Sequence, residues 1–503
     1  MRRYLLGIDV GTTGTKTIVF DEEGALLAQA YEGYPLSTPQ VGYSEQDPED
    51  LWHAVCSTVR AVCKEPKIAA SVVAVSISVQ GGTLVPVDKD GTAVCPAIVW
   101  NDARCTEQCT AFEHEVGEPS VMYQKTGWKL IPALPALEIR WIKDNRPEVF
   151  QRTAKFLTVP DFISLKMTGT AACDLSGAGI NQLCDIRRGC YDEQLLRFAG
   201  ITEDQLPKLV RSGEIIGHLT EKAAAELGLT TSCVLVGGAH DQYAVALGAG
   251  AVEAGDILIG SGTCWVITAI GEQADFSSGL SQSVAAVPGK WGSLWSLSSG
   301  GVCLDWLRHN LAFGEGGEGL SYTVLDHEAH KRRAAEDGLF FFPFSGRATL
   351  EKGFQKASFV GIDLSHDRFD FARAIMEGVA FQIVWMMEAF RTKPSQKGLI
   401  FAGGASKSEV WSQILANMAG IPVRIPAVAD LACVGAAILA GVGCGIYKTP
   451  EQGYRCLAVG ERVMEPDSQQ SNVYRRLMKE YKQKAAVLGD LYGSDLKIEE
   501  AEL

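Results

Sequence analysis

Residues 5–20 read LLGIDVGTTGTKTIVF, and the fold follows from how this stretch is read. Leu5, Leu6, Ile8 and Val10 make an apolar strand interrupted by one acid, Asp9. A turn of Gly, Thr and Lys follows, and residues 17–20 return as a second strand. Glycines admit backbone conformations and close approaches that a Cβ would block. Backbone N–H groups in such a turn can cradle an anion. The hydroxyls of Thr12, Thr13 and Thr15 add donors, and Lys16 adds charge. An acid on the strand beneath suits a hydrated Mg2+. The stretch reads as a site for a polyphosphate and a metal; the plainer alternative is a Gly-rich hairpin turn with no ligand. It is not a Walker P-loop, which needs four residues between its glycines and a helix after the Lys-Ser/Thr. Here two residues intervene and a strand follows.

The remaining composition narrows the class. A chain of 503 residues predicts two or three domains. Apolar content of 47% and charged content of 21% are ordinary for a globular protein with large cores. A formal net charge of −14 without basic runs argues against nucleic acid or an anionic membrane as the main partner. Residues 1–20 have the pattern of neither a signal peptide nor a membrane span. The fourteen cysteines are scattered with no CxxC pair, which reads as reduced core thiols of a cytoplasmic protein. His327-Glu-Ala-His330 lacks the HExxH zinc spacing and reads as a solvated helix face. Residues 314–319 match GxGxxG literally but follow no strand and carry two glutamates, so they read as a loop.

Strand-like and helix-like stretches then alternate. A helix is expected over 47–64, strands over 71–79 and 84–87, and a mostly helical region with loops over 105–230. A strand over 233–236 runs into Gly237-Gly-Ala-His-Asp241-Gln242 and a small-residue helix to about 251. Residues 256–270 (DILIGSGTCWVITAI) repeat the logic of the first hairpin: strand, Gly-Ser-Gly-Thr turn, strand. Two such hairpins about 250 residues apart predict two similar domains. Further on, a helix over 371–390 and a strand over 398–402 lead to Gly403-Gly404 and a helix over 407–418. A strand over 423–425 and a small-residue helix over 432–442 follow. The tail from about 450 reads as polar, helical and packed on the outside.

The Asp9 hairpin, the Gly-Ala-His-Asp-Gln run at 238–242, the turn at 260–263 and Gly403-Gly404 occur together and in this order. With them the chain resembles the FGGY-type carbohydrate kinases, in the actin-like ATPase superfamily, over about residues 1–450. Among these it is most similar to xylulokinases, through Ser44-Glu-Gln-Asp-Pro48, Trp100-Asn-Asp-Ala-Arg104, Lys166-Met-Thr-Gly169, Leu304-Asp-Trp306 and Gly403-Gly-Ala-Ser-Lys-Ser-Glu409. The resemblance implies an α/β chain of two actin-like, ribonuclease H-like domains around a central cleft. Residues 1–250 would bind sugar, 251–450 nucleotide, and 451–503 form a helical extension. Domain closure would then exclude water.

The resemblance also implies roles. Asp241 matches the general base that takes the proton from the attacking sugar hydroxyl. Thr12, Thr13 and Lys16 match the first phosphate loop, Asp9 the Mg2+-associated acid, and Gly262 and Thr263 the second phosphate loop. Gly301, Asp305, Gly404 and Ser408 fall where the family holds the adenosine end and α-phosphate of ATP. Trp100, Asp102, Asp241 and Gln242 fall on the sugar side with Gln80, Gly81 and Gly82. At those last three positions xylulokinases carry Gln-Met-His and glycerol kinases Gln-Arg-Glu. Loss of Arg-Glu argues against glycerol, and loss of Met-His leaves room for a larger or differently oriented polyol. Gly346-Arg347-Ala-Thr349 is a second departure, where many relatives read Gly-Glu-Arg-Thr-Pro. The expected activity is ATP-dependent phosphorylation of a ketopentose such as D-xylulose, with homodimerisation left open. Other readings are a kinase of another pentulose, a tetritol or gluconate, a sugar sensor without transferase activity, and a filament or chaperone ATPase.

Plainer readings stand beside these roles. Asp241 is also a favoured residue type for a helix N-cap. Asp9 is an acid in an apolar strand and needs a metal or a donor. Asp102 and Arg104 also fit a surface ion pair. His240 reads as structural rather than catalytic.

Overall fold

The computed structural model describes residues 2–314, 317–343, 356–428, 430–457 and 460–499. The chain forms two compact units. The first joins Met1–Glu253, Ile270–Ser293 and Asp430–Val459; the second joins Ala254–Ala269, Leu294–Ala429 and Gly460–Leu503. A division at residues 250 and 450 therefore differs from the one the packing makes. The helix Leu431–Gly443 belongs to the first unit because its small residues let its backbone meet that unit's backbone. A Cβ at Gly435 would lie 2.0 Å from the Ala244 carbonyl oxygen, and one at Gly7 would lie 1.9 Å from that of Cys433. No bulkier residue fits either contact.

The first unit carries a six-stranded sheet in the order Ile215–His218, Val234–His240, Val72–Val79, Tyr4–Val10, Gly14–Asp21, Leu26–Gly33. The opening stretch forms the antiparallel hairpin that its sequence predicts, with Asp9 opposite Lys16. Tyr4–Val10, Val72–Val79 and Val234–His240 run parallel and are almost wholly buried, as parallel strands covered on both faces should be. Their carboxyl ends lie in register at Val10, Val79 and His240. Ligand sites in open α/β sheets lie beyond such ends. The register slips between Val236 and Ala239. Gly238 makes that slip possible, since a Cβ there would lie 1.8 Å from the Ile77 carbonyl oxygen.

The second unit repeats the scheme. Ile257–Ser261 pairs antiparallel with Trp265–Gly271 and parallel with Leu399–Gly403. Leu399–Gly403 pairs parallel with Val423–Pro426, and Glu461–Met464 closes the edge antiparallel. Each unit thus has a hairpin, two further parallel strands and an antiparallel edge strand, the duplication that the two Gly-rich turns suggest.

Several expectations need correction. Residues 105–230 also hold the strands Lys155–Thr158, Ala172–Asp174, Lys208–Val210 and Ile215–His218. Ile215–His218 is an edge strand exposed at both ends, so it lacks a buried periodicity to read. The tail is not merely external. Glu461–Met464 joins the sheet, and the helix Ser468–Glu499 buries Tyr474, Leu477, Tyr481 and Ala485. The Tyr481 ring stacks between Phe342 and Phe381, at centroid distances of 4.4 and 4.7 Å. The Tyr474 hydroxyl donates to Glu377 Oε1 at 2.8 Å, beside the buried Arg373–Glu377 ion pair. The Gly346–Thr349 segment lies outside the described residues, as do 315 and 316 of the expected loop, whose Gly314 N–H donates to the Glu318 carbonyl at 2.8 Å. Among the described residues no helix is long and apolar enough to cross a membrane.

The stacked tyrosine gives the tail a measurable weight. Tyr481→Ala should lower the unfolding free energy by about 3–5 kcal/mol, the usual cost of deleting a buried ring. Denaturant titration checks this, and a loss under 1 kcal/mol would return the helix to the surface.

Candidate functional site

In the first unit the site is built at the carboxyl ends of the three parallel strands. Asp9, next to last on Tyr4–Val10, accepts a 2.8 Å hydrogen bond from Ser78 Oγ on the neighbouring strand. Burial raises its carboxyl from 3.8 to about 6; Ser78 and Lys16 oppose the rise, and the Asp241 and Asp430 carboxylates add to it. Lys16 is ion-paired with Asp430, the residue before the Leu431–Gly443 helix. Asp430 carries no local motif, and sequence reading missed it. The turn at 11–13 is tied from outside: the Tyr34 hydroxyl donates to the Gly11 carbonyl at 2.5 Å and Gln46 Nε2 to that of Thr12 at 2.6 Å. Thr13 is exposed.

Asp241 is the first residue of the helix Asp241–Gly248, and His240 is its N-cap. Asp241 Oδ1 accepts the Gln242 N–H at 2.6 Å and lies 3.1 Å from His240 Nδ1. The cap role weighed for Asp241 therefore falls to its neighbour. Gln80 begins the turn after Val72–Val79; its N–H donates to the Val10 carbonyl at 3.0 Å. Its Oε1 accepts from Thr12 Oγ1 at 2.8 Å, and its Nε2 donates to Gln46 Oε1 at 3.1 Å. Trp100, 45% exposed, donates from Nε1 to Thr12 Oγ1 at 3.1 Å. Thr12 is thus bonded to the residues expected on the sugar side. Gly82 has φ +75°, and a Cβ at Gly81 would lie 2.4 Å from His240 Cδ2.

Asp102 departs from both readings given to it. It is 1% exposed, and it accepts from Ser44 N–H and from the Arg104 side chain on both oxygens. Arg104 also pairs with Glu45 and lies 3.9 Å over the Tyr43 ring. This is an internal strut that braces the Trp100 turn, neither a surface pair nor a carboxylate free to meet a ligand.

The second unit gathers its expected residues in one place. Gly262, Thr263, Gly301, Asp305, Gly404 and Ser408 all line one pocket of ≈ 630 Å3. That volume suits a ligand of nucleotide size. Its loops are closely stitched: Gly404 N–H donates to the Ser261 carbonyl at 2.7 Å and Gly301 N–H to that of Gly262 at 3.2 Å. A Cβ at Gly301 would lie 2.5 Å from that Gly262 oxygen, and Gly403 sits at φ +102°. Asp305 accepts from Arg308 at 3.0 Å and from the Tyr322 hydroxyl. Ser408 caps the helix Glu409–Ala419 through the Trp411 N–H at 2.9 Å and donates to Asp326. Burial raises the Asp326 carboxyl. Asp326 and Tyr322 were missed as pocket residues because their helix, which carries His327 and His330, reads as a solvated face.

Comparison with known proteins fits this geometry. Residues 4–248 match the N-terminal domain of the FGGY family of carbohydrate kinases, and 256–444 match its C-terminal domain. The gluconokinase of Bacillus subtilis (strain 168) is 30% identical over 461 residues, covering 89% of this chain and 88% of that protein. The xylulose kinase of Escherichia coli (strain K12) is 30% identical over 454 residues, covering 88% and 91%. The crystal structure of xylulose kinase from Rhodospirillum rubrum is similar with a TM-score of 0.88 at 26% identity, over 97% of this chain and 100% of that one. Both family domains are matched in order, and this chain, a phosphotransferase, belongs to the FGGY family of carbohydrate kinases.

Proposed function

We propose that the protein transfers the γ-phosphate of ATP to a hydroxyl of a ketopentose or related polyol, with D-xylulose as first substrate and Asp241 as general base. The observation that carries this reading is the pocket on the second unit, lined by six of the nine residues expected around the nucleotide, all six that this unit contributes. Asp241 supports it from the first unit: one oxygen is engaged, and Oδ2 accepts no hydrogen bond among the described residues. Gln80, Gly81, Gly82 and Gln242 follow the same strand ends, Trp100 is bonded to Thr12, and all five would contact the sugar; Thr12 and Thr13 would face the phosphates. Lys16 would act there through its pair with Asp430. D-Gluconate is the second reading, because a gluconokinase is as similar to this chain as a xylulose kinase, each at 30% identity. Among the described residues no disulfide joins the cysteines, which supports a reducing, cytoplasmic setting.

Mg2+ fits the first unit. Asp9 interacts there with the Asp241 and Asp430 carboxylates and with Lys16. Among the described residues no three ligating side chains form a closed cage. Mg2+ is commonly held by one or two carboxylates with waters and substrate phosphates. When bound it would neutralise phosphate charge. The chain itself would contribute the Asp9 carboxylate, held by Ser78.

An ADP-release screen over D-xylulose, L-xylulose, D-gluconate, tetritols and glycerol tests the function. One of the first three should give the highest kcat/KM, and Asp241→Asn should cut its kcat by about 10²–10⁴-fold while ATP still binds. ATP hydrolysis indifferent to every sugar would sink the reading. Asp305→Ala should raise KM for ATP about 10-fold or more, the worth of one hydrogen bond to a charged group, and leave KM for the sugar within a factor of two.

Asp9 adds a pH dependence. Its carboxyl is held near 6 in the folded chain against 3.8 ordinarily. The stability tied to its neutral form is present below 3.8 and lost as pH rises through about 6. The full difference is about 3 kcal/mol. Asp9→Asn should therefore gain stability relative to the parent by up to about 3 kcal/mol between pH 4 and 7 without ligand. A pH-independent difference in denaturant titrations would contradict this. Mg2+ with ATP should stabilise the parent more than the variant.

A further inference from the structure

The residue before the base is a histidine, and its ring is placed against that base. The His240 N–H donates to Ser176 Oγ at 2.9 Å, and that hydroxyl donates to Asp174, a buried carboxylate that caps the helix Leu175–Ala178. The backbone at 240 is thereby pinned from a second element. The ring itself is 6% exposed and stands 6.0 Å from Trp128 and 5.8 Å from Tyr243, centroid to centroid. The third side is Gly81: a Cβ there would lie 2.4 Å from His240 Cδ2 and 2.7 Å from Nε2. The imidazole takes up the space that a side chain at 81 would need.

The ring's other edge meets the carboxylate. Nδ1 lies 3.1 Å from Asp241 Oδ1. The Gln242 N–H is 2.6 Å from Asp241 Oδ1 and 3.3 Å from Nδ1. With the ring hydrogen on Nδ1, the shorter contact keeps the Gln242 N–H and Nδ1 donates to Oδ1; with it on Nε2, Nδ1 accepts that N–H instead. In the first form Oδ1 holds two donors, and Oδ2 holds none among the described residues. Two donors on one oxygen fix the plane of the carboxylate and leave the other oxygen as the proton acceptor.

We infer that His240 is a positioning residue for Asp241: its Nδ1–H holds Oδ1, makes Oδ2 the basic oxygen, and requires glycine at 81. The inference rests on Asp241 being the base. The acceptor O–H bond breaks as its oxygen bonds to the γ-phosphorus. The proton goes to Oδ2, and the electron pair of the β–γ bridging bond leaves with ADP.

Four single variants and one double variant test it on the whole chain with the sugar found in the screen. His240→Leu should lower kcat about 10–100-fold, with KM for ATP and the melting temperature unchanged. His240→Asn, whose amide can donate from the same place as Nδ1, should recover most of that loss. Equal damage in both variants, or none in His240→Leu, overturns the inference. If His240→Leu does not fold, Gly81→Ala reads the same contact: it should lower kcat in the parent and cost nothing further beside the smaller His240→Asn. Equal cost in both backgrounds also overturns it. Asp241→Asn separates the two levels: full turnover there would defeat the base itself, whereas a dead Asp241→Asn with an unaffected His240→Leu would defeat only the histidine's role.

Discussion

The first unit depends on how closely two small-residue helices approach. Asp241–Gly248 and Leu431–Gly443 touch through backbone: a Cβ at Gly435 would meet the Ala244 carbonyl at 2.0 Å, and one at Gly248 would meet that of Leu431 at 2.0 Å. The second helix also lies against the first strand, at Gly7 and Cys433. Three acids are located by these contacts. Asp241 begins one helix, Asp430 precedes the other, and Asp9 sits on the strand beneath. Methyl-sized intrusions anywhere along this seam would separate groups whose fields act on one another.

That grouping is electrostatically unfavourable for the folded chain alone. Burial is the main reason that the Asp9 carboxyl stays well above its ordinary value; the Asp241 and Asp430 carboxylates add to it, and Ser78 and Lys16 offset only part. Acids held together against their mutual repulsion are common where a cation or proton is to be received. The second unit behaves differently. Its pocket is shaped by glycine contacts and helix starts, with Asp305 and Asp326 each tied to a hydroxyl.

The sequence was most readable where chemistry is local. Asp9 with its hairpin, the turn at 260–263, Gly403-Gly404 and the Asp241 run each show within a few residues, and each is where its motif predicts. Helix starts were less legible: the helix expected over 371–390 begins at Arg368, behind a capping box of Asp367 and Asp370 that could have marked it. The tyrosines at 474 and 481, seven residues apart, were the readable sign of a buried tail face. What remained hidden were partners joined only by folding. Lys16 and Asp430 are separated by 414 positions, and Ser408 and Asp326 by 82. Asp102 shows the opposite failure, since a motif position was legible but its burial under Arg104 was not.

The first unit draws on three separate stretches of chain, the last being Asp430–Val459. This has a consequence for biosynthesis. After Glu253 leaves the ribosome, the helix that covers its sheet at Gly7 is still unmade. At 5–20 residues per second, about 10–40 s pass before residue 459 follows. Through that interval the nascent sheet presents an uncovered apolar face. A chaperone that shields such faces during translation should therefore raise the yield of this protein more than that of one whose domains close in chain order.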